Sequence, residues 1–315
     1  MIVRWGLAEL PGTLADVGIA RPFVVASPRW HSLDLPHLDW WSEVPSAEVS
    51  VPSEADGILG IGGGSAIDTA KLASAQSGLP VVHVPTTYSG AEWTAFYGVR
   101  SPDRVIRGGG AGAHPAGIVY DVELTLDLPR ELTAGTALNA LAHCAEALYA
   151  ERHTPEGDEE ALAGAPLIAA ALPRVLADPA DREARTDLLR GAMHAGHALG
   201  LAGLALAHAM AQAIGGAYGL PHGAMNALCL PPALRFNERV VPEAVARFGD
   251  AVGGDAAARA RELARLGGFE RLRDFGVPEA DLQRLADAAS RRAGNLANPR
   301  PAAADEIHAM LREIW

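Results

Sequence analysis

The stretch "ILGIGGGSAIDTAKLAS", Ile58 to Ser74, constrains this chain more than any other. An apolar run, Ile58 to Ile61, passes into Gly62, Gly63, Gly64 and Ser65, and then into small residues at helical spacing. An apolar strand that ends in glycines and restarts as a helix is the corner of a strand–helix unit, which leads to a parallel sheet rather than to hairpins. Glycine also lets the backbone approach a pyrophosphate closely, and the free N–H groups and dipole of the helix supply positive potential without a lysine. The spacing is not G-x-G-x-x-G, so the ordinary dinucleotide fingerprint is not met, and a tight turn with no ligand has the same sequence. Here Asp68 reads as a helix N-terminal charge and Lys71 as a solvated one.

The neighbouring text repeats the theme. "RPFVVAS", "LPVVHVPTT" and "AGIVYD" are further buried strands that end in loops, near-continuous in apolar residues, as in a parallel sheet covered on both faces. From about Glu131 the chain becomes rich in Ala, Leu, Glu and Arg, with Gly and Pro at helix boundaries. The expected fold is an α/β N-terminal dinucleotide-binding domain with a parallel sheet, residues 1–129, followed by an all-α C-terminal domain that carries the substrate and catalytic site, residues 130–315. The boundary falls in "LTLDLPRELTAGT", where Pro129 ends one segment and Thr133 or Thr136 caps the next helix. From Ser27, the end of the first strand, to Gly62 there is room for one crossover but hardly for two with a strand between them, so the sheet is expected to be abbreviated.

Composition narrows the function classes. With 26 basic against 38 acidic residues the formal charge is −12, and the basic residues are scattered, which disfavours nucleic acid as a partner. The two cysteines, Cys144 and Cys229, sit in apolar helical text and read as buried thiols in a reducing compartment. The N-terminus lacks a signal-peptide core and no run approaches the roughly 18 apolar residues of a membrane span, so a cytoplasmic protein without a membrane partner is expected.

Chemistry-bearing residues gather at two places. "HVPTTYSGAEWTAFYG" sets the hydroxyls of Thr86, Thr87 and Ser89 at the carboxyl edge of the sheet, where ligands of open α/β folds bind. "ALNALAHCAEALYA" puts Asn139 and His143 four apart on one helix face, so amide and imidazole share a space. That space is a metal site, a metal-free catalytic pocket or a satisfied polar spot in a core. His194 and His197 read as packing or helix-surface residues.

Together, "GIGGGSAIDTAK", "VPTTYSGAEWT", "VYDVELTLDLP", "ALNALAHCAEALYA" and "GLPHGAMNALCLPPALRFN" resemble, in order, the iron-containing alcohol dehydrogenase superfamily, whose members pair a dinucleotide domain with a helical domain. "PTTYSGAEWT", the asparagine of "LNALAH", "LPPALRFN" and "NPRP" are most similar to its maleylacetate reductase branch. The resemblance implies an NAD(P)H-dependent reductase of a small carbonyl or unsaturated keto-acid substrate, with NADH or NADPH on Gly62, Gly63, Gly64, Ser65, Asp68, Thr86, Thr87 and Ser89. Asn139, His143, His208 and His222 would orient the substrate and stabilise developing negative charge, one histidine donating the proton. Metal-dependent relatives use one aspartate and three histidines at those four positions, and Gln212 stands where they have a further histidine. With an amide in place of the anion the reaction is expected to need no metal; a metal, if present, would sit on His143, His208 and His222. A homodimer is implied by the resemblance alone. The rival readings are a zinc- or iron-dependent alcohol dehydrogenase and a remodelled scaffold with a non-redox or binding function, the second suggested by the short first domain. "ASPRW" lacks the Asp that often binds an adenosine 2′-hydroxyl, leaving Arg29 to meet a 2′-phosphate, and Arg104 or Arg107 replaces a lysine usual in the family.

Overall fold

Six parallel strands form the sheet of the first of two units, Met1–Leu128 and Pro129–Trp315. The structure is a computed structural model and describes residues 1–101, 104–109 and 113–315. The strands are β1 (Ile2–Trp5), β2 (Pro22–Ala26), β3 (Asp39–Trp41), β4 (Gly57–Gly62), β5 (Val81–Pro85) and β8 (Pro115–Tyr120), in the order β1-β8-β5-β4-β2-β3. Strands β6 (Phe96–Ser101) and β7 (Arg104–Gly109) make a separate antiparallel hairpin.

Alternation along the strands divides the core into two layers. Val24, Ala26, Leu59, Ile61, Val82 and Val84 pack with Leu10 and Leu14 of helix α1 (Leu10–Val17) on one face. Phe23, Val25, Ile58 and Val81 pack on the other with Ala70 and Ala73 of α2 (Gly64–Ser77). Gly60 permits that second contact, because a Cβ there would lie 2.6 Å from that of Ala70. Burying β2, β4 and β5 on both faces is what their unbroken apolar text required.

One detail corrects the sequence reading and another agrees with the abbreviated sheet it expected. The first strand is β1, not β2: "IVRW" is only half-buried and carries a weak pattern, and it is held by pairing with β8 and by the stacking of Trp5 on Tyr120 at 4.9 Å. Between β2 and β4 the intervening strand survives as the three residues of β3, paired in parallel with β2, while a 3₁₀ turn (Pro28–Trp30) stands in for a helix. Trp30 and Trp40 cover the apolar face that a helix would cover, and Trp40 Nε1 donates to Ala26 O at 2.9 Å.

The second unit is helical throughout its described residues: α3 (Arg130–Ala147), α4 (Pro155–Ala177), α5 (Arg182–Ala202), α6 (Leu206–Tyr218), α7 (His222–Glu238), α8 (Pro242–Val252), α9 (Ala256–Leu266), α10 (Leu282–Ser290), α11 (Ala293–Leu296) and α12 (Ala304–Glu313). Neither Thr133 nor Thr136 caps α3; Pro129 is its N-cap, and Thr136 Oγ1 donates to Leu132 O one turn back. From Ala137 to Ala147 every residue of α3 is buried, as in a helix surrounded by others. Close crossings depend on glycine: a Cβ on Gly164 would lie 2.8 Å from Gly191 O between α4 and α5, and one on Gly223 would fall on the backbone of Gly135. The second contact seats the first turn of α7, with His222, against α3. By length and composition α4 could cross a membrane, yet half of that window is buried inside the unit. Its packing is against α5 and α3.

Two stretches that mark the branch prove to be a clasp. Asn237 and Asn298 exchange amide hydrogen bonds at 3.0 and 2.7 Å, and the Arg300 guanidinium lies 4.2 Å over the Phe236 ring.

Candidate active site

In the first unit the glycine loop is shaped by its own packing. Gly62 has φ 143, and a Cβ on Gly63 would lie 2.8 Å from Thr87 Cγ2, so glycine is required at both positions with or without a ligand. Gly64 differs, since a Cβ there meets nothing closer than Ser89 Oγ at 3.6 Å. Helix α2 has Gly63 as its N-cap and no side-chain cap, leaving its first N–H groups to a ligand or water. Thr87 Oγ1, beside the loop, is buried and has no partner among the described residues. Thr86 N–H donates to Gly62 O at 3.0 Å, which holds the hydroxyl loop against the glycines. Uncapped amides, an orphaned hydroxyl and space at Gly64 fit a pyrophosphate.

Lys71 is not solvated. Fully buried, its ammonium donates to Ala91 O and Phe96 O at 2.8 Å and to Thr94 Oγ1 at 3.0 Å, stapling that segment to α2. Asp68 is drawn into the same staple: Oδ1 lies 2.9 Å from Lys71 Nζ, and Oδ2 accepts from Gly98 N at 3.0 Å. The carboxylate that reads as a cofactor contact thus has each of its oxygens engaged by a donor of the protein. Arg29 stands exposed on the turn after β2, its guanidinium 4.4 Å over the Trp30 ring. The side chains of Arg104 and Arg107 lie outside the described residues.

Two buried groups of this unit escaped the sequence reading. Tyr120 donates to Glu92 Oε1 at 2.7 Å and accepts from Trp93 Nε1 at 2.7 Å, while Glu92 Oε2 has no partner among the described residues. Burial pushes the Glu92 carboxyl up to about 7. His83 on β5 is buried with neither ring nitrogen partnered among the described residues, and burial, then the Lys71 charge, press it down to about 3. A glutamate beside a tryptophan and a histidine inside an apolar strand were the available signals.

In the helical unit the structure brings together all four residues expected at the catalytic centre. Asn139 and His143 project from one face of α3, and Asn139 Nδ2 donates toward His143 Nε2 at 3.3 Å. His208, from α6, stacks on His143 with ring centroids 4.8 Å apart, and its Nε2 stands 3.3 Å from Asn139 Oδ1. His222 opens α7 on the exposed side, 5.7 Å from the His208 ring. Asn226, which the sequence reading missed, completes the group: its Nδ2 donates to Asn139 Oδ1 at 2.7 Å and toward His222 Nε2 at 3.0 Å. The signal was its spacing, one helical turn after His222. Glu146 was missed too, although it follows Asn139 by seven residues on the same face; its Oε2 lies 2.6 Å from His208 Nδ1.

Burial, then the charges of His208 and His222, hold His143 well below the usual histidine range. His143 Nδ1 and Asn226 Oδ1 are buried without partners among the described residues, two polar atoms that a bound ligand could satisfy. Gln212 lies aside, its Oε1 accepting from Arg292 Nη1 at 3.4 Å. His194 and His197 face Glu160 at 2.6 and 3.2 Å.

In the cluster the Nε2 atoms of the three rings face carboxamides, the one carboxylate, Glu146, lies behind His208 on Nδ1, and among the described residues no three His, Cys, Asp or Glu are placed to hold an ion.

Comparison with known proteins agrees with this architecture. Residues 133–315 match the C-terminal region of the Fe-containing alcohol dehydrogenase family, and residues 46–111 match iron-containing alcohol dehydrogenase. Maleylacetate reductase from Pseudomonas knackmussii is 34% identical over 98% of this chain and 93% of its own. That from Burkholderia cepacia is 38% identical over 83% and 74%. The crystal structure of maleylacetate reductase from Agrobacterium tumefaciens superposes with a TM-score of 0.89 at 28% identity, over 100% of this chain and 95% of that one. A putative alcohol dehydrogenase from Ralstonia eutropha gives 0.90 at 34%, over 100% and 95%. With near-complete coverage by sequence and structure alike, the chain belongs to the iron-containing alcohol dehydrogenase family, in its maleylacetate reductase branch, and is an oxidoreductase.

Proposed function

We propose that this protein is an NAD(P)H-dependent reductase of a small carbonyl or unsaturated keto acid and that it works without a metal. The observation that carries the reading is the Asn139 carboxamide set among three histidines, with His143 Nδ1 and Asn226 Oδ1 buried and unpartnered beside it. The nicotinamide, when bound, supplies the hydride. The first N–H groups of α2 and the Thr87 hydroxyl would hold its pyrophosphate. In the helical unit, Asn139, Asn226, His143, His208 and His222 would orient the substrate and stabilise the oxygen on which negative charge develops, with His143 Nδ1, opposite the Nε2 that faces Asn139, open to a hydrogen bond. Such groups, held in place beforehand in a dry pocket, typically contribute about 100-fold or more to turnover. Proton donation then falls to a histidine of this group.

The names of the relatives make maleylacetate the first substrate to try. The test is titration of the purified protein with NADH and NADPH, followed by turnover of maleylacetate by the wild type and by His143→Ala, His208→Ala and His222→Ala. Binding of at least one dinucleotide, with kcat lowered in variants that stay folded, is expected. Absence of binding to either dinucleotide, or alanine variants with wild-type kcat, overturns the reading.

A further inference from the structure

We propose that Glu146 is the positioning residue of the histidine cluster: its carboxylate holds His208 with a proton on Nδ1, so that Nε2 is the nitrogen presented to Asn139. This rests on the reading of the cluster as the reacting pocket.

Glu146 is fully buried, and no Lys or Arg among the described residues pairs with it. Burying a carboxylate is costly unless its oxygens are met by donors. Here three donors meet it. Oε2 accepts from Ala205 N at 2.7 Å and faces His208 Nδ1 at 2.6 Å, and Oε1 accepts from His208 N at 3.2 Å. Ala205 is the N-cap of α6 and has no side-chain oxygen for that turn, so Glu146 caps α6 from α3, at the end of the helix dipole that favours an anion. One carboxylate thereby sets both the first turn of α6 and the ring that turn carries. Because a carboxylate only accepts, the proton between it and the imidazole belongs on Nδ1, as with carboxylates that orient histidines in other sites; Asn139, whose Oδ1 stands 3.3 Å from Nε2, then turns its amide by a half-turn to offer that nitrogen an N–H.

Capping and ring positioning share Oε2, and Oε1 receives the His208 N–H. Glu146→Gln removes the carboxylate's charge and sets an amide N–H against either His208 Nδ1 and Ala205 N or His208 N, so the ring is held less firmly whichever way the amide turns. Replacing the carboxylate of a His–carboxylate pair by an amide costs on the order of 10⁴-fold in kcat in the best-studied case. For reduction of maleylacetate with NADH or NADPH, kcat should fall at least about 100-fold in Glu146→Gln, with dinucleotide Kd unchanged, and Glu146→Asp should recover part of the loss. Wild-type kcat in Glu146→Gln overturns the inference. Should the Gln variant fail to fold, the wild type decides: in a long-range ¹H–¹⁵N spectrum of histidine-labelled protein, the His208 signals, assigned by their loss in His208→Ala, should report a proton on Nδ1. A proton on Nε2 alone overturns it, with no substrate required. His208→Ala inactive beside an active Glu146→Gln sinks this inference only, whereas an active His208→Ala sinks the pocket reading as well.

Discussion

At the scale of single residues, the difference between an amide and a carboxylate decides the chemistry of the cluster. Asn139 can present N–H or C=O by a half-turn of its terminal bond, and Asn226, whose Oδ1 has no partner among the described residues, can turn with it. An aspartate could only accept, and would demand a proton or a metal on His143 Nε2 and His208 Nε2. Asn139→Asp should therefore lower metal-free turnover by about 100-fold or more and raise zinc affinity, read by parallel kinetics and zinc titration. Unchanged turnover with no gain in zinc binding would place Asn139 outside the working pocket. Gly64 offers a comparable test in the other unit. At Gly63 a valine would collide with Thr87, so any defect there confuses folding with binding. A methyl at Gly64 meets only ordinary contacts within the protein but stands where a phosphate would approach the helix. Gly64→Ala should keep the wild-type Tm and weaken dinucleotide binding by about tenfold or more, roughly 1.4 kcal/mol; an unchanged Kd would remove the loop from the cofactor site.

Among elements, the strand β5 and the turn that Lys71 staples to α2 carry two buried groups with opposite pH dependence. The Glu92 carboxyl, raised to about 7 from its ordinary 4.5, is protonated more readily in the fold than in the unfolded chain. Its contribution is complete at low pH and is lost as pH rises toward 7. His83, pressed from 6.5 to about 3, contributes fully above 6.5 and loses that contribution as pH falls. Between about 4.5 and 6.5 the two slopes oppose each other, each roughly 1.4 kcal/mol per pH unit. Glu92→Gln removes one of them. Relative to wild type, the variant should lose about 2 kcal/mol more at pH 5 than at pH 7, visible as a wider Tm gap at the lower pH; an equal gap would mean that Glu92 is ionised in the fold. The sequence carried the existence of these elements well, because unbroken apolar runs and glycine corners are local signals. It did not carry Lys71, which reads as a surface charge because its three oxygen partners lie twenty or more residues on, at Ala91, Thr94 and Phe96.

For the whole molecule, the family is named for a metal, whereas the function proposed for this chain is metal-free. The purified protein is expected to contain well under one zinc or iron per chain, and a chelator should leave both turnover and Tm unchanged. Stoichiometric metal, with activity lost to chelator and restored by the ion, would favour the metal-dependent reading instead. What the sequence determined alone is what short-range order can encode: a parallel sheet with a glycine corner, an abrupt change to helices near Pro129, and a helix face shared by Asn139 and His143. The tertiary structure decided what depends on partners far apart in the chain. It made β1 a strand by pairing it with β8, let glycine at 223 meet glycine at 135 so that His222 reaches the cluster, and set Glu146 on His208 across 62 residues. Each of these is a contact whose free energy exists only after the chain has folded, so no periodicity announces it.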